Sequence, residues 1–457
     1  MEIKFGTDGW RAVVAKEFTF ENLMKVAQAH AESLKNRNGK KVIVGYDTRF
    51  LSTEFAKAVA EVFSSNGFDV IISKTDCTTP ALSLAVKELK ADEGVMITAS
   101  HNDYRYNGYK IKGIYGGPAT PDIIQDVENR IGKSSIKTGK TNWQEEDLNQ
   151  RYIEKLISYI EPDIFKQKTQ RVVHDAMHGT SCGLLRELLK NSFIETIEIN
   201  HYKDPYFGFH HPEPIEKNLS LLKAKVVATE SIVGIANDGD SDRVGIVAED
   251  GEFVSTQIVY ALLLLHIIRN KKIKGSVVKT VSTSYLVDRI CKKEGVNLYK
   301  TPVGFKYVAD IMLKENVAFG GEESGGYGFG FHIPERDGLL SGLLILEMIN
   351  LYDKPLTEII KNLFKEFGTA YYLREDLKLQ SNQGTELIKR LKEEKPEKFA
   401  GLKIREIDLT DGVKFIFEDD SWILFRASGT EPVLRIYVET PSKELTEKLL
   451  QEAKNLI

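Results

Sequence analysis

The sequence predicts an α/β fold of several layered units in tandem, closed by a smaller α+β unit. Three observations carry this. At roughly 150 residues per domain, the 457 residues provide for about three domains, or four if one is small. Short β-branched runs alternate with amphipathic stretches of helical period up to about residue 367, the pattern of helices covering a buried sheet. The remainder instead crowds four strand-like runs together, as a small meander does.

In chain order, residues 41–45 and 69–73 read as strands, with helices over 20–34 and 53–66 and a third strand at 94–98. Thr120 followed by Pro121 signals a helix running to about Ile131, since proline suits the first helical turn. Residues 133–149, rich in Ser, Thr, Lys and Gly, read as a linker. A second unit has strands at 171–175, 196–200 and 232–236 and a helix at 182–191; a third has strands at 275–280, 296–301 and 317–320. The last unit has strands at 402–409, 413–418, 422–425 and 434–439 with two helices. The expected boundaries are 1–140, 141–250, 251–368 and 369–457.

Composition narrows the function. Apolar residues at 42% and charged residues at 28% exclude general disorder. A net charge of −4, from 62 basic and 66 acidic residues, gives no basic excess for nucleic acid or an anionic membrane. No apolar run reaches the roughly 18–20 residues of a membrane span, and the start lacks a signal-peptide pattern, so the expected location is the cytoplasm. Cys77, Cys182 and Cys291 are too scattered for a disulfide ladder or a zinc site. His174, His178, His201, His210 and His211 match no zinc-binding helix spacing and read as structural.

Four polar loops each follow an apolar strand, where α/β sheets place their ligands. In Thr98-Ala-Ser-His-Asn102, with Lys110 downstream, Ser100 beside His101 is either a nucleophile or part of a hydrogen-bonded turn. Asp238, Asp240 and Asp242 alternate in one loop and can converge on a hard cation such as Mg²⁺ or Ca²⁺. An EF-hand is excluded: Glu249 falls at its twelfth position, but Arg243 stands where the turn needs glycine and a strand follows. Gly320-Gly-Glu-Glu-Ser-Gly-Gly326, with residues 301–306 upstream, lacks a dinucleotide fingerprint and suits vicinal sugar hydroxyls, or else is a plain glycine turn. Arg426-Ala-Ser-Gly-Thr430 offers a guanidinium, two hydroxyls and freed amides to a phosphate dianion.

These loops, together with Phe5-Gly-Thr-Asp-Gly-Trp-Arg11 and Gly45-Tyr-Asp-Thr-Arg49, resemble the α-D-phosphohexomutase superfamily, which includes phosphoglucomutase and phosphomannomutase, over the whole chain. The resemblance implies three related α/β/α domains in tandem plus a smaller C-terminal α+β domain around a central cleft. It implies a mutase that interconverts hexose 1-phosphate and hexose 6-phosphate through phosphoserine at Ser100 and a hexose 1,6-bisphosphate, which also serves as activator. Ser100, Asp238, Asp240 and Asp242 would then hold Mg²⁺. Arg11, Lys110 and His101 would serve catalysis, and Arg243 and Lys306 would bind substrate. Glu322 and Ser324 would grip the sugar, and Arg426, Ser428, Gly429 and Thr430 the distal phosphate.

Three positions depart from the family pattern: Asp103 where proline is common, Gly326 where histidine often stands, and Arg336 where some members carry a lysine proposed as base. Arginine stays protonated, so Arg336 can orient phosphate but takes no proton. The expected substrates are glucose or mannose phosphates, with glucosamine phosphate as the alternative. A metal-dependent sugar phosphatase and a non-enzymatic sugar-phosphate binder are the rival classes; neither needs the full set of a serine carrier, a metal loop and a second clamp. The expected assembly is a monomer or homodimer.

Overall fold

The computed structural model describes residues 3–6, 8–379, 382–427 and 433–456. Three sheets repeat one topology. In the first, Lys41–Tyr46 lies between Asp69–Ser73 and Glu93–Ile97, parallel to both, and Tyr106–Gly113 returns antiparallel beside Glu93–Ile97. In the second, Gln170–Asp175, Ile194–Ile199, Val233–Asn237 and Val244–Ala248 take the same places. Ser276–Thr280, Leu298–Thr301, Val317–Gly321 and Tyr327–Phe329 do so in the third. Parallel neighbours require crossover connections, which explains the interleaved helices. Val42, Ile43 and Val44 show no exposure, as expected of strands covered on both faces.

In all three units, therefore, one equivalent connection joins a central strand to its antiparallel neighbour: residues 98–105, 238–243 and 322–326. The C-terminal sheet is wholly antiparallel. Leu402–Asp408, Val413–Phe417, Trp422–Ala427 and Val433–Thr440 pair in sequence, and Tyr371–Lys378 closes the far edge. The fourth loop falls at the last of these hairpins.

Local signals act as their chemistry dictates. Thr19 caps the helix Phe20–Asn36 by accepting from the Asn22 amide at 3.2 Å, and Thr78 caps Thr79–Glu88 through the Ala81 amide at 3.0 Å. The helix after Thr120 spans Pro121–Arg130. The stretch read as a linker contains a strand, Gln144–Glu146, parallel to Asp69–Ser73, so the first sheet draws on chain beyond residue 140. The helix expected at 182–191 is shorter, Leu184–Leu189, because Gly183 enters it in the left-handed region at φ 79°. Among the described residues no helix is long and apolar enough to cross a membrane.

Candidate active site

Ser100 stands at φ 53°, a left-handed conformation unfavourable for a residue with a Cβ, and the surroundings hold it there. Its amide donates to Thr98 Oγ1 at 2.9 Å, and its carbonyl accepts from Arg49 Nη2 at 2.6 Å. Arg49 also reaches the carbonyls of Asn102, Asp103 and Tyr106 at 2.6, 2.7 and 3.0 Å. Asp47 in turn accepts from Arg49 Nε at 3.0 Å, Thr98 Oγ1 at 2.6 Å and Ser52 Oγ at 2.8 Å. The Gly45–Arg49 motif is thus a brace for the serine loop, a role that sequence spacing does not show.

The first and second loops meet face to face. Ser100 Oγ donates to Asp238 Oδ2 at 2.9 Å, across 138 residues of chain. A Cβ on Gly239 would stand 2.6 Å from the Ser100 carbonyl oxygen, so only glycine permits this approach. Asp238, Asp240 and Asp242 show no exposure and present carboxylate oxygens all within 4.8 Å of one another. Thr79 contributes from the first unit: its hydroxyl donates to Asp240 Oδ2 at 2.6 Å and its amide to the Asp240 carbonyl at 2.9 Å.

Three buried carboxylates this close oppose one another. Burial, then the charges of Asp242 and Asp240, push Asp238 well above the usual carboxylate range. Asp240 is held low despite burial, by the Lys110 ammonium and the Thr79 hydroxyl. Asp240 Oδ1 and Asp242 Oδ1 are buried without a hydrogen-bond partner among the described residues. Two orphaned oxygens on a hard-donor triad beside a serine hydroxyl fit a divalent cation such as Mg²⁺.

Cations ring this centre. Lys110 Nζ lies 2.8 Å from Asp240 Oδ2, 3.2 Å from Asp242 Oδ2 and 2.8 Å from Asp8 Oδ2. Arg336 Nη2 bridges Asp8 at 2.6 Å and Asp242 at 2.7 Å. Arg11 donates to Asn102 Oδ1 at 2.8 Å and lies 3.6 Å from Asp8. Arg243 caps Asp238 through its backbone amide at 3.0 Å, while its buried Nε, 4.0 Å from Asp242 Oδ1, has no hydrogen-bond partner among the described residues. His101 places Nδ1 3.4 Å from Ser100 Oγ; burial and the charges of Arg243, Arg11, Lys110 and Arg336 hold it well below the usual histidine range, hence neutral. Sequence reasoning missed Asp8, Thr79, Lys112 and Glu335. Lys112 and Lys110 share one strand face, and Lys112 Nζ meets Glu335 Oε2 at 2.5 Å; that two-residue spacing was the available signal.

In the third loop Glu322 is buried, 3.7 Å from Arg336 Nη1, and burial raises its carboxyl to about 7. Ser324 Oγ is buried and has no hydrogen-bond partner among the described residues. Glu323 serves the loop itself, accepting from Ser282 Oγ at 2.6 Å. Two of the departures from the family pattern prove to be linked: a Cβ on Gly326 would lie 2.3 Å from Arg336 Cδ, so the glycine makes room for the arginine. Lys306, on the helix Phe305–Lys314, lines a small cavity with Asp8 and Gly9.

Arg426 lies next to the last residue of the strand Trp422–Ala427 and donates Nε to Asp411 Oδ2 at 2.8 Å. The same carboxylate oxygen accepts from the Val303 amide at 3.0 Å, tying the clamp to the segment before Lys306. Ser428, Gly429 and Thr430 lie outside the described residues. Glu249 is remote in role, accepting from the amides of Leu356 and Thr357, in keeping with the exclusion of an EF-hand. His174 and His178 bond Asn237 Oδ1 and the Tyr202 carbonyl, and the aspartate triad is the only metal-competent group among the described residues.

Comparison with known proteins agrees. The family models Phosphoglucomutase/phosphomannomutase alpha/beta/alpha domains I, II and III match residues 2–137, 150–251 and 256–367, and the C-terminal domain of that family matches 387–456. A Thermococcus kodakarensis protein named phosphoglucomutase/phosphomannomutase is 33% identical, covering 98% of both chains. A Pyrococcus abyssi protein named probable phosphoglucosamine mutase is 34% identical over 99% of this chain and 97% of its own. The crystal structure of a putative phosphomannomutase from Thermus thermophilus superposes with a TM-score of 0.90 at 36% identity, covering 100% of this chain and 99% of that one. With four domain matches in order over a serine and aspartate centre of this geometry, the chain belongs to the phosphoglucomutase/phosphomannomutase family of the α-D-phosphohexomutase superfamily and is a phosphohexomutase, an isomerase.

Proposed function

We propose that the chain interconverts the 1- and 6-phosphates of glucose or mannose with Ser100 as phosphoryl carrier. The observation that supports this most is the Ser100 hydroxyl 2.9 Å from a buried carboxylate of the aspartate triad, with Arg11, Lys110 and Arg336 gathered around the same triad. Phosphoryl transfer needs in-line placement and charge neutralisation more than covalent assistance. Mg²⁺, held by Asp238, Asp240, Asp242 and the serine oxygen, would neutralise charge on the transferring group. Arg11, Lys110 and Arg243 orient the phosphoryl oxygens. Glu322 and Ser324 hold ring hydroxyls, while Arg426 with Ser428, Gly429 and Thr430 grips the phosphate that does not react, and Lys306 helps to bind substrate.

In the first half-reaction the bond from Ser100 Oγ to phosphorus breaks as a sugar hydroxyl bonds to phosphorus, and the hydroxyl's proton passes to the departing Ser100 Oγ, giving the hexose 1,6-bisphosphate. The bisphosphate reverses, and Ser100 Oγ takes back the other phosphoryl group as its bond to the sugar oxygen breaks, with neutral His101 accepting the serine proton and the departing sugar oxygen taking up a proton in turn. A trace of bisphosphate recharges any unphosphorylated enzyme and so acts as activator. In this reading the units divide near 140, 250 and 368, and the enzyme works in the cytoplasm as a monomer or homodimer on small phosphosugars, without nucleic acid or membrane.

Phosphoglucosamine mutase is the second reading, favoured by the name of the Pyrococcus abyssi relative. The test is a parallel assay of glucose, mannose and glucosamine 1-phosphates with a trace of the matching bisphosphate, alongside intact-mass analysis. Turnover of the glucose or mannose ester, with a phosphate adduct on Ser100, is the expected result. Preference for the glucosamine ester would establish the second reading, and hydrolysis to free phosphate would overturn both.

A further inference from the structure

The third and C-terminal sheets enclose a cavity of about 210 Å³ whose lining includes none of the groups assigned to the transfer chemistry. Its charges do not balance. Six cationic side chains face it against four carboxylates, and two of those carboxylates are shared. Asp288 pairs with both Lys279 and Lys300, and Asp420 with both Arg289 and Arg405. Glu406 and Asp408 complete the acidic lining.

Lys414 is the unusual member. Its side chain is 6% exposed, and its ammonium donates to the Val281 carbonyl at 2.6 Å and lies 3.8 Å above the Trp422 ring. Among the described residues it has no carboxylate partner, and neither has Lys292. A buried ammonium is normally paired. Burial and the neighbouring Lys279 lower this one to about 7, against the raising charges of Asp288 and Glu439, so an anion bound beside it would hold it protonated.

We propose that this cavity is a binding site for a small dianion, a phosphate monoester or a dicarboxylate, that bridges the third and C-terminal units. With all six cationic side chains protonated the excess is two positive charges, which one dianion would match while keeping Lys414 protonated, and the volume admits a small metabolite but not a nucleotide-sized ligand. Lys279 and Arg289 approach from one unit, Lys414 and Arg405 from the other. Trp422 and Arg426 share a strand, so an occupant fixes the C-terminal sheet relative to the sugar loop.

The test uses the full chain and the emission of Trp422, identified against Trp10 and Trp143 by its loss in Trp422→Phe. Inorganic phosphate and malonate are titrated separately at ionic strength matched with sodium chloride. A saturable change with phosphate, malonate or both is expected; the probe that works distinguishes the phosphate from the dicarboxylate source. The midpoint should rise at least tenfold in Lys414→Met and in the surface pair Lys292→Gln/Arg405→Gln, and stay in place in Arg426→Ala. A response that sodium chloride reproduces, that the surface pair leaves unchanged, or that shifts only with Arg426→Ala would overturn the proposal.

Discussion

Ser100 and Asp238 lie fully buried at hairpin loops of two α/β sheets, whereas Arg426 lies next to the last residue of a strand of an antiparallel sheet, with 17% of its side chain exposed and, among the described residues, one carboxylate partner. The first pair is over-determined: Arg49 alone spans four backbone carbonyls of the serine loop. Arg426 depends on Asp411, which bonds one amide of the neighbouring unit. This difference suits the chemistry. The reacting end needs preorganised charge, since catalysis comes from groups that do not reorganise. The distal end must accept a bisphosphate in both orientations, which a few adaptable donors do better than a rigid cage.

Removing the carrier should have the largest effect. Ser100→Ala should cut kcat by at least about 10⁴-fold and abolish the mass adduct, with an unchanged circular-dichroism spectrum. Retained turnover would show that the buried centre is not the reacting end. Arg426→Ala should act on the other side of the comparison. Losing charge-assisted bonds worth roughly 1.5–3 kcal/mol should raise KM on the order of ten- to a hundredfold with kcat nearly intact. A loss confined to kcat would mean that the distal clamp also governs the chemical step.

Thr79→Val tests how far the rigid end depends on contacts between units. The hydroxyl positions Asp240, and such supporting groups are worth about 10–100-fold in metal affinity. The Mg²⁺ concentration for half-maximal activity should rise by about tenfold, and Thr79→Ser should restore it. No change in Mg²⁺ requirement would make the threonine a packing residue.

What the sequence revealed follows from how local each feature is. The serine, aspartate and glutamate loops were legible because each is a short run placed after an apolar strand. The contacts that set their geometry were not: Thr79 and Asp240 are 161 residues apart, and Arg336 and Asp8 are 328 apart. The strand Tyr106–Gly113 also escaped, since its two lysines and two glycines break the apolar pattern. Those lysines are buried because they face the carboxylates of the site. Tyr371–Lys378 escaped for the opposite reason, as an edge strand mostly exposed to solvent.

Glu322 gives the sharpest measure of what burial costs the site. Its carboxyl, raised to about 7 by burial, lies above the ordinary glutamate value of about 4.3. Between those values the folded chain holds a proton that the unfolded chain has released. Stability from this group is therefore complete below pH 4.3, falls as pH rises, and is lost above pH 7. Glutamine cannot ionise. Glu322→Gln should match the parent in stability to denaturant at pH 4 and exceed it at pH 8, by roughly 3–4 kcal/mol. The same variant should lose about ten- to a hundredfold in kcat/KM, because an amide must present a donor where the carboxylate accepts with both oxygens. Glucose and mannose phosphates should suffer alike if the contacts are to the 3- and 4-hydroxyls, since the two sugars differ only at the 2-position. A stability gain equal at both pH values would show that Glu322 is not ionised at a cost. Stability and activity would then no longer trade off at this loop, and the contrast with the partly exposed Arg426 would rest on geometry alone.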